Sequence, residues 1–225
     1  MTVEIPVMVL PTRLYLRGIM TYRHWTTLRK GYRAALCFLA AAVLPAAVQA
    51  QDWQPIERIE PYAVTGSTPP ELYASIGERG PRAGSGRAIA HTNFKLTWQR
   101  KYENRDGACV LASARPKLIV TYTLPKPPRT LPASTRKKWD VFVAGVEKHE
   151  RVHGDQIKDM VRKIEAGTVG LTVPEDPQCR KIRDEMTIRL GALSQEQRRQ
   201  ARDFDRVEMS DGGAVHQLIL NFLND

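Results

Sequence analysis

The chain has 225 residues and a formal net charge of +10, from 34 Lys and Arg against 24 Asp and Glu. Six of these bases and one acid lie in the first fifty residues, so the rest of the chain carries 28 bases against 23 acids. These charges are interspersed along the sequence, without the one-sign stripe and interleaved aromatic residues that are typical of nucleic-acid binding. We therefore expect no nucleic-acid partner.

The first fifty residues have the pattern of a secretory signal peptide. A basic segment precedes an apolar run from Ala34 to Val48, and Ala47-Val48-Gln49-Ala50 places small residues where signal peptidase cleaves. The run is shorter than the roughly 20 apolar residues of a membrane span. Met20 as the start would give a signal of ordinary length, and an uncleaved N-terminal anchor is the alternative. We expect a periplasmic or secreted domain over residues 51–225, with no stable membrane span after cleavage.

The cysteine count is consistent with export. Cys37 lies inside the apolar run, which leaves Cys109 and Cys179 in the mature domain. Two cysteines in an oxidising compartment favour a disulfide. Two buried thiols are the alternative.

The first half of the mature domain predicts strands with one short helix. Tyr62–Thr65 is a short strand candidate, and Thr68-Pro69-Pro70-Glu71 has the residues of a capping box that opens a helix to about Ile76. Apolar and polar residues alternate over 90–102 and again over 117–124, which predicts two half-buried strands. The proline-rich segment 125–132 then ends the sheet.

The second half predicts helices. Over 135–166, apolar residues recur three or four apart, and Gly167 suits the end of this helix. A second helix is predicted over 178–208, broken near Gly191 with Ser194 as a new N-cap, and a third over 214–223. Strands followed by helices indicate an α+β fold. We expect a small N-terminal antiparallel sheet followed by a helical half. This half contains a His-Glu-x-x-His motif at residues 149–153 and is therefore expected to be zincin-like.

The motif His149-Glu150-Arg151-Val152-His153 lies in the predicted helix 135–166. Histidines four residues apart lie on one helical face, within reach of one metal ion. The same face carries the apolar residues Trp139, Phe142, Val146, Ile157, Met160 and Ile164. Both histidines therefore point toward the core, where buried imidazoles need partners, and Zn²⁺ would supply one. The alternative is a pair of core histidines that form ordinary hydrogen bonds.

Glu150 follows His149 by one residue and is the candidate catalytic group. A carboxylate in this position can take a proton from water as it attacks a carbonyl group and pass that proton to the leaving amine. The motif therefore predicts zinc-dependent hydrolysis of an amide bond.

A catalytic zinc ion needs a third protein ligand. No histidine stands at the short downstream spacings of the longer zincin signatures, so the ligand must come from further along the chain. Glu208, on the second predicted helix, is the favoured candidate, and Asp211 and Asp205 are the alternatives. His216 is chemically suitable but is equally expected at the surface.

The chain resembles a bacterial family of unknown function described as predicted secreted zinc-dependent proteases. The resemblance covers nearly all of the mature domain. It rests on Tyr62-Ala63-Val64-Thr65-Gly66-Ser67-Thr68, Glu71-Leu72, Gly80-Pro81, Thr92 to Trp98, Cys109, Leu124-Pro125, the histidine motif, Cys179 and Phe204-Asp205. It implies a disulfide between the two cysteines and a protease activity. One departure is Ser210-Asp211-Gly212, where the family has a histidine-glycine pair.

Three functions are compatible with these features. The first is a secreted zinc-dependent peptidase acting on a peptide or protein substrate. The second is a non-catalytic periplasmic module with a structural or vestigial metal site. The third is a basic binder of acidic polymers, which a contiguous patch of Lys and Arg away from the histidine face would support.

Overall fold

The structure is a computed structural model that describes residues 53–83 and 86–224. The predicted signal peptide, including Met20 and Cys37, lies outside the described residues. Within the described ranges, no helix is both long enough and apolar enough to cross a membrane.

The main sheet is built around one long central strand. The strands are β1 (Ile56–Ala63), β2 (Arg82–Ala83), β3 (Gly86–Arg87), β4 (His91–Arg105), β5 (Ala108–Lys126) and β6 (Thr172–Val173). The order is β1-β5-β4, with β6 also paired to β5, while β2 and β3 form a separate hairpin. The prediction of an antiparallel N-terminal sheet is wrong in two respects. β1 runs parallel to β5, and β6 comes from the helical half of the chain.

In the described part of the chain four helices accompany the sheet, so the α+β class is confirmed. They are α1 (Pro69–Arg79), α2 (Ala133–Thr168), α3 (Lys181–Met209) and α4 (Ala214–Leu223). The predicted capping box of α1 is present, because the Thr68 side chain accepts from the Glu71 amide and the Glu71 side chain accepts from the Thr68 amide.

The predicted break in α3 is wrong, because the helix runs without interruption through Gly191 and Ser194. A glycine inside a helix costs only about 1 kcal/mol relative to alanine. Leu190 and Leu193 lie on either side of Gly191 and pack against the main core. Partial burial of these two side chains offsets that cost, since full burial of one leucine contributes roughly 1.5–3 kcal/mol.

The main core lies between α2 and one face of the sheet. The apolar stripe of α2 is buried as predicted, and it packs against alternate residues of β5, namely Leu118, Val120, Tyr122 and Leu124. A second cluster surrounds the disulfide between Cys109 and Cys179, which joins β5 to the segment before α3. The predicted disulfide is therefore confirmed.

Gly154 allows α2 to pack closely on the sheet. A Cβ atom at this position would overlap the hydroxyl group of Tyr122 on β5. The residue lies directly after His153, so its contact with the sheet helps to fix the height of the histidine pair above the strands. The need for a close approach explains a glycine in the middle of a 36-residue helix.

We expect Gly154→Ala to lower the free energy of unfolding by about 1–3 kcal/mol, the usual cost of overpacking a core. Gly167→Ala is the matched control on the same helix, because a Cβ there meets nothing within 4 Å. It should be neutral or stabilise by up to about 1 kcal/mol. Denaturant unfolding of both variants measures the difference. Adding Tyr122→Phe to Gly154→Ala should recover part of the loss, and equal stability of the two glycine variants would contradict the close contact.

Candidate metal centre

His149 and His153 lie one turn apart on the inward face of α2. His149 is 5% exposed and His153 is nearly as buried, with 12% of its side chain exposed. Their Nε2 atoms are 3.2 Å apart. The predicted geometry of the histidine pair is therefore present, and both rings present the same nitrogen to one point.

Asp205, on α3, completes a compact group with the two histidines. Its Oδ1 atom lies 2.8 Å from His153 Nε2 and 3.2 Å from His149 Nε2. Tetrahedral zinc with bonds of about 2.0–2.1 Å holds its ligand atoms roughly 3.3–3.4 Å apart. Two imidazole nitrogens and one carboxylate oxygen are also a ligand set that zinc prefers. The residues therefore fit a divalent metal ion. Within the described ranges, they are the group of His and acidic side chains whose ligand atoms lie close enough together to share one ion.

The charges of this group keep Asp205 ionised. Burial raises the pKa of Asp205. Hydrogen bonds and charge interactions with the two histidines lower the pKa by more than burial raises it, so it lies well below its ordinary value. For His153, burial lowers the pKa, and the hydrogen bond and charge of Asp205 outweigh this and raise it. Asp205 is consequently a carboxylate, the form that binds a metal ion.

Glu208, the favoured third ligand, lies on the other side of His149. Its Oε2 atom is 3.8 Å from Nδ1 of His149, whereas the atom of that ring that faces Asp205 is Nε2. The Nδ1 atom is buried and has no hydrogen-bond partner among the described residues. The structure thus brings the alternative candidate, Asp205, to both Nε2 atoms and places Glu208 where it can orient the His149 ring. Asp211 lies in the exposed turn after α3 and is not part of the group.

Phe204 is a site residue that the motif analysis did not select. Its ring stacks on His149 with 4.8 Å between centroids and meets His153 edge-on at 5.4 Å. Aromatic contact of this kind restricts both imidazole rings and covers them from water. The signal in the sequence was its position next to Asp205, a candidate ligand.

Glu150 is buried at 6% exposure, and Thr92 of β4 holds it in place. The Thr92 hydroxyl donates to Oε2 of Glu150 at 2.6 Å and also lies 3.0 Å from the Glu150 carbonyl oxygen. Because one oxygen of the carboxylate is held by β4, its orientation is fixed relative to the strand.

A cavity of about 690 Å³ opens beside this group. It is lined by the start of β4 from His91 to Phe94, by α2 at His149, Glu150 and His153, and by α3 and α4. Within the described sheet β4 has one neighbour, β5, so its other edge is unpaired. The cavity therefore joins the candidate metal ligands to an open strand edge.

His216, on α4, also lines the cavity, although the sequence favoured no buried role for it. The Gly212 amide donates to its Nδ1 atom at 3.1 Å. An Nδ1 atom that accepts cannot carry a proton, so the neutral ring carries its proton on Nε2. His216 can thus donate one hydrogen bond from Nε2.

A family model described as bacterial protein of unknown function (DUF922) matches residues 59–213. The chain belongs to this family. The matched range contains His149, Glu150, His153, Asp205 and both disulfide cysteines, while His216 lies beyond its end. No curated protein and no solved structure matches the chain. The DUF922 description states no activity, so the protease function that the resemblance implied stays a prediction.

We expect purified wild-type protein to bind one zinc ion per chain and the His149→Ala/His153→Ala variant to bind none, as measured by elemental mass spectrometry. Zinc affinity, measured by competition with a chromogenic chelator, distinguishes the roles of the two acids Asp205 and Glu208. Asp205→Ala should weaken zinc affinity by more than about 100-fold, because loss of a ligand exceeds the 10- to 100-fold effect of an outer hydrogen-bond partner. Glu208→Ala should stay within that lower range.

Asp211→Ala is the control for removal of a nearby acid and should leave the affinity unchanged. A larger loss for Glu208→Ala than for Asp205→Ala would identify Glu208 as the third ligand instead.

Proposed function

We propose that this protein is a secreted or periplasmic zinc-dependent metallohydrolase, a peptidase that cleaves amide bonds in a peptide or protein substrate. The observation that carries the proposal is the position of Asp205 Oδ1, which lies 2.8 Å from Nε2 of His153 and 3.2 Å from Nε2 of His149. A cavity that Glu150 also lines adjoins this group. Three protein ligands leave a position for water or substrate, as in catalytic zinc sites.

Each residue has a distinct part in this chemistry. His149, His153 and Asp205 would hold the zinc ion, which supplies Lewis acidity toward water and toward a substrate carbonyl group. Glu150 acts as general base and then as general acid, taking a proton from the attacking water and delivering it to the leaving amine. Thr92 occupies Oε2 of Glu150, so we assign the proton transfer to Oε1.

The unpaired strand edge beside the cavity favours an extended substrate. The unpaired edge of β4 can add a peptide strand through backbone hydrogen bonds, and pockets beside it can select side chains. Phe94 presents an apolar side chain to the cavity and is 37% exposed. The Nε2 proton of His216 is suited to donate to the carbonyl oxygen of the cleaved bond as negative charge develops there.

Export rests on two features. The pattern of the first fifty residues predicts a signal peptide, and the disulfide between Cys109 and Cys179 belongs to an oxidising compartment. Both favour action outside the cytoplasm.

The alternative is a non-catalytic module in which the metal serves only structure. A structural zinc site has four protein ligands. The group in the described residues has three members, and a cavity adjoins it, which supports the catalytic proposal over this alternative.

We expect Glu150→Gln to lower kcat by about 10²- to 10⁴-fold, the usual contribution of a general base, while zinc content stays near one per chain. Cleavage of a mixed peptide library, followed by mass spectrometry, measures the activity. Glu147→Gln is the matched control, because Glu147 lies on the same helix and pairs with Arg151 outside the cavity. It should retain activity.

Zinc-loaded wild-type protein that cleaves no peptide in the library would contradict the peptidase proposal. One zinc ion per chain in that case would favour the structural alternative.

A further inference from the structure

The sheet has a second face, turned away from α2, which we call the open face. Leu118, Val120 and Tyr122 of β5 point into the core with α2. Since neighbouring side chains of a strand point to opposite sides, residues 113–123 of odd number point to the open face. Register adds Ile56, Arg58 and Glu60 of β1 and the odd-numbered residues 91–101 of β4.

Five cations form a single row along this open face. The register places residues of neighbouring strands side by side at positions 121, 119, 117, 115 and 113 of β5. Each of these five levels contains one basic side chain. In this order the cations are Arg58, Lys95, Lys117, Arg115 and Lys101. Alternate residues of a strand are about 6.4–6.8 Å apart, so the row extends over roughly 26 Å.

Three of the five cations have no acidic partner among the described residues. The acids on this side of the described strands include Glu60 of β1, which lies beside Thr123, and Glu103 of β4, which lies beside Lys101. Arg58, Lys95 and Lys117 form no ion pair with any described residue, whereas Lys101 pairs with Glu103 at 2.9 Å and remains 71% exposed. Aligned cations repel each other, and a linear polyanion would relieve this repulsion along the whole row.

The side chains beside the cations indicate the chemistry of the polyanion. The open face carries hydroxyl and amide groups between the bases, from Asn93, Thr97, Gln99, Ser113, Thr121 and Thr123. Such groups suit the hydroxyls of sugars. Single-stranded nucleic acids are usually held by aromatic stacking, and this described part of the face has no Phe, Tyr or Trp.

We propose that the open face binds an anionic polysaccharide, a linear chain of sugars with regularly spaced carboxylate or sulfate groups. The cations of the row contact the acidic groups, and the neighbouring hydroxyl and amide side chains contact the sugar hydroxyls. This binding is independent of the metal centre, which lies on the other side of the sheet.

The test compares dextran sulfate with uncharged dextran, two polymers with the same backbone, by fluorescence anisotropy at several salt concentrations. Wild-type protein should bind dextran sulfate and not dextran. Lys95→Gln/Lys117→Gln should weaken binding at least about tenfold and reduce the slope of log K against log salt by about two, one for each lost contact.

Arg199→Gln/Arg202→Gln removes the same charge from the exposed surface of α3 and is the matched control. It should bind within about twofold of wild type. Equal losses in the two double variants would mean that net charge alone drives binding, and would overturn the proposal. Arg58→Gln, a single change on β1, provides a second measurement and should weaken binding by itself.

Two further polymers distinguish the class of partner. Poly-glutamate and an oligothymidylate should bind more weakly than dextran sulfate. Tighter binding of either one would assign the open face to an acidic protein or to a nucleic acid, and would overturn the polysaccharide proposal.

Discussion

The packing of α2 against the sheet is the constraint on which the candidate metal centre depends. Gly154 of α2 permits close contact with Tyr122 of β5. Two basic residues of α2, one before and one after Gly154, also pair with Glu57 of β1. Arg151 lies 2.8 Å and Lys158 lies 2.7 Å from its carboxylate oxygens. Arg151 also lies over the Tyr122 ring at 4.9 Å. Together these contacts fix the rotation of α2 about its axis, and hence the direction of both histidines.

The ion pairs in this cluster are partly exposed, and exposed pairs contribute only about 0–1 kcal/mol each. Hydrogen bonding to Lys158 is the largest cause of the lowered pKa of Glu57, which keeps this carboxyl group ionised. The cluster therefore acts through geometry more than through stability. A helix that could rotate by one residue, about 100°, would carry both imidazoles out of reach of Asp205.

The sequence predicted the histidine face because helical spacing is a local property. The acid that joins the two histidines was harder to predict. Asp205 and Glu208 are three residues apart on α3 and share one side of that helix, so periodicity cannot separate them. Which of the two meets the Nε2 atoms depends on how α3 crosses α2, and that is a tertiary feature. The continuity of α3 through Gly191 was missed for the same reason, since the packing of Leu190 and Leu193 decides it.

The sheet shows the same division between local and tertiary information. Alternation of apolar and polar residues predicted β4 and β5, although β4 continues to Arg105 and β5 extends beyond both predicted ends, from Ala108 to Lys126. Alternation says nothing about partners or direction, so the parallel pairing of β1 with β5 could not be predicted. The cation row illustrates this limit, because Arg58, Lys95 and Lys117 lie on three different strands, far apart in the sequence, and are aligned only by strand register.

The alternation of β4 lets one strand serve two surfaces. Thr92 and Phe94 point toward α2, where Thr92 holds Glu150 and Phe94 lines the cavity, while Asn93 and Lys95 point to the open face. A polymer bound across the open face would therefore leave the cavity accessible to a peptide. The two proposals can fail separately, since the metal centre depends on α2 and α3 and the cation row depends on the register of three strands. If both hold, binding to an anionic polysaccharide would keep the hydrolytic site close to proteins associated with that polymer, raising their effective concentration without a change at the metal centre.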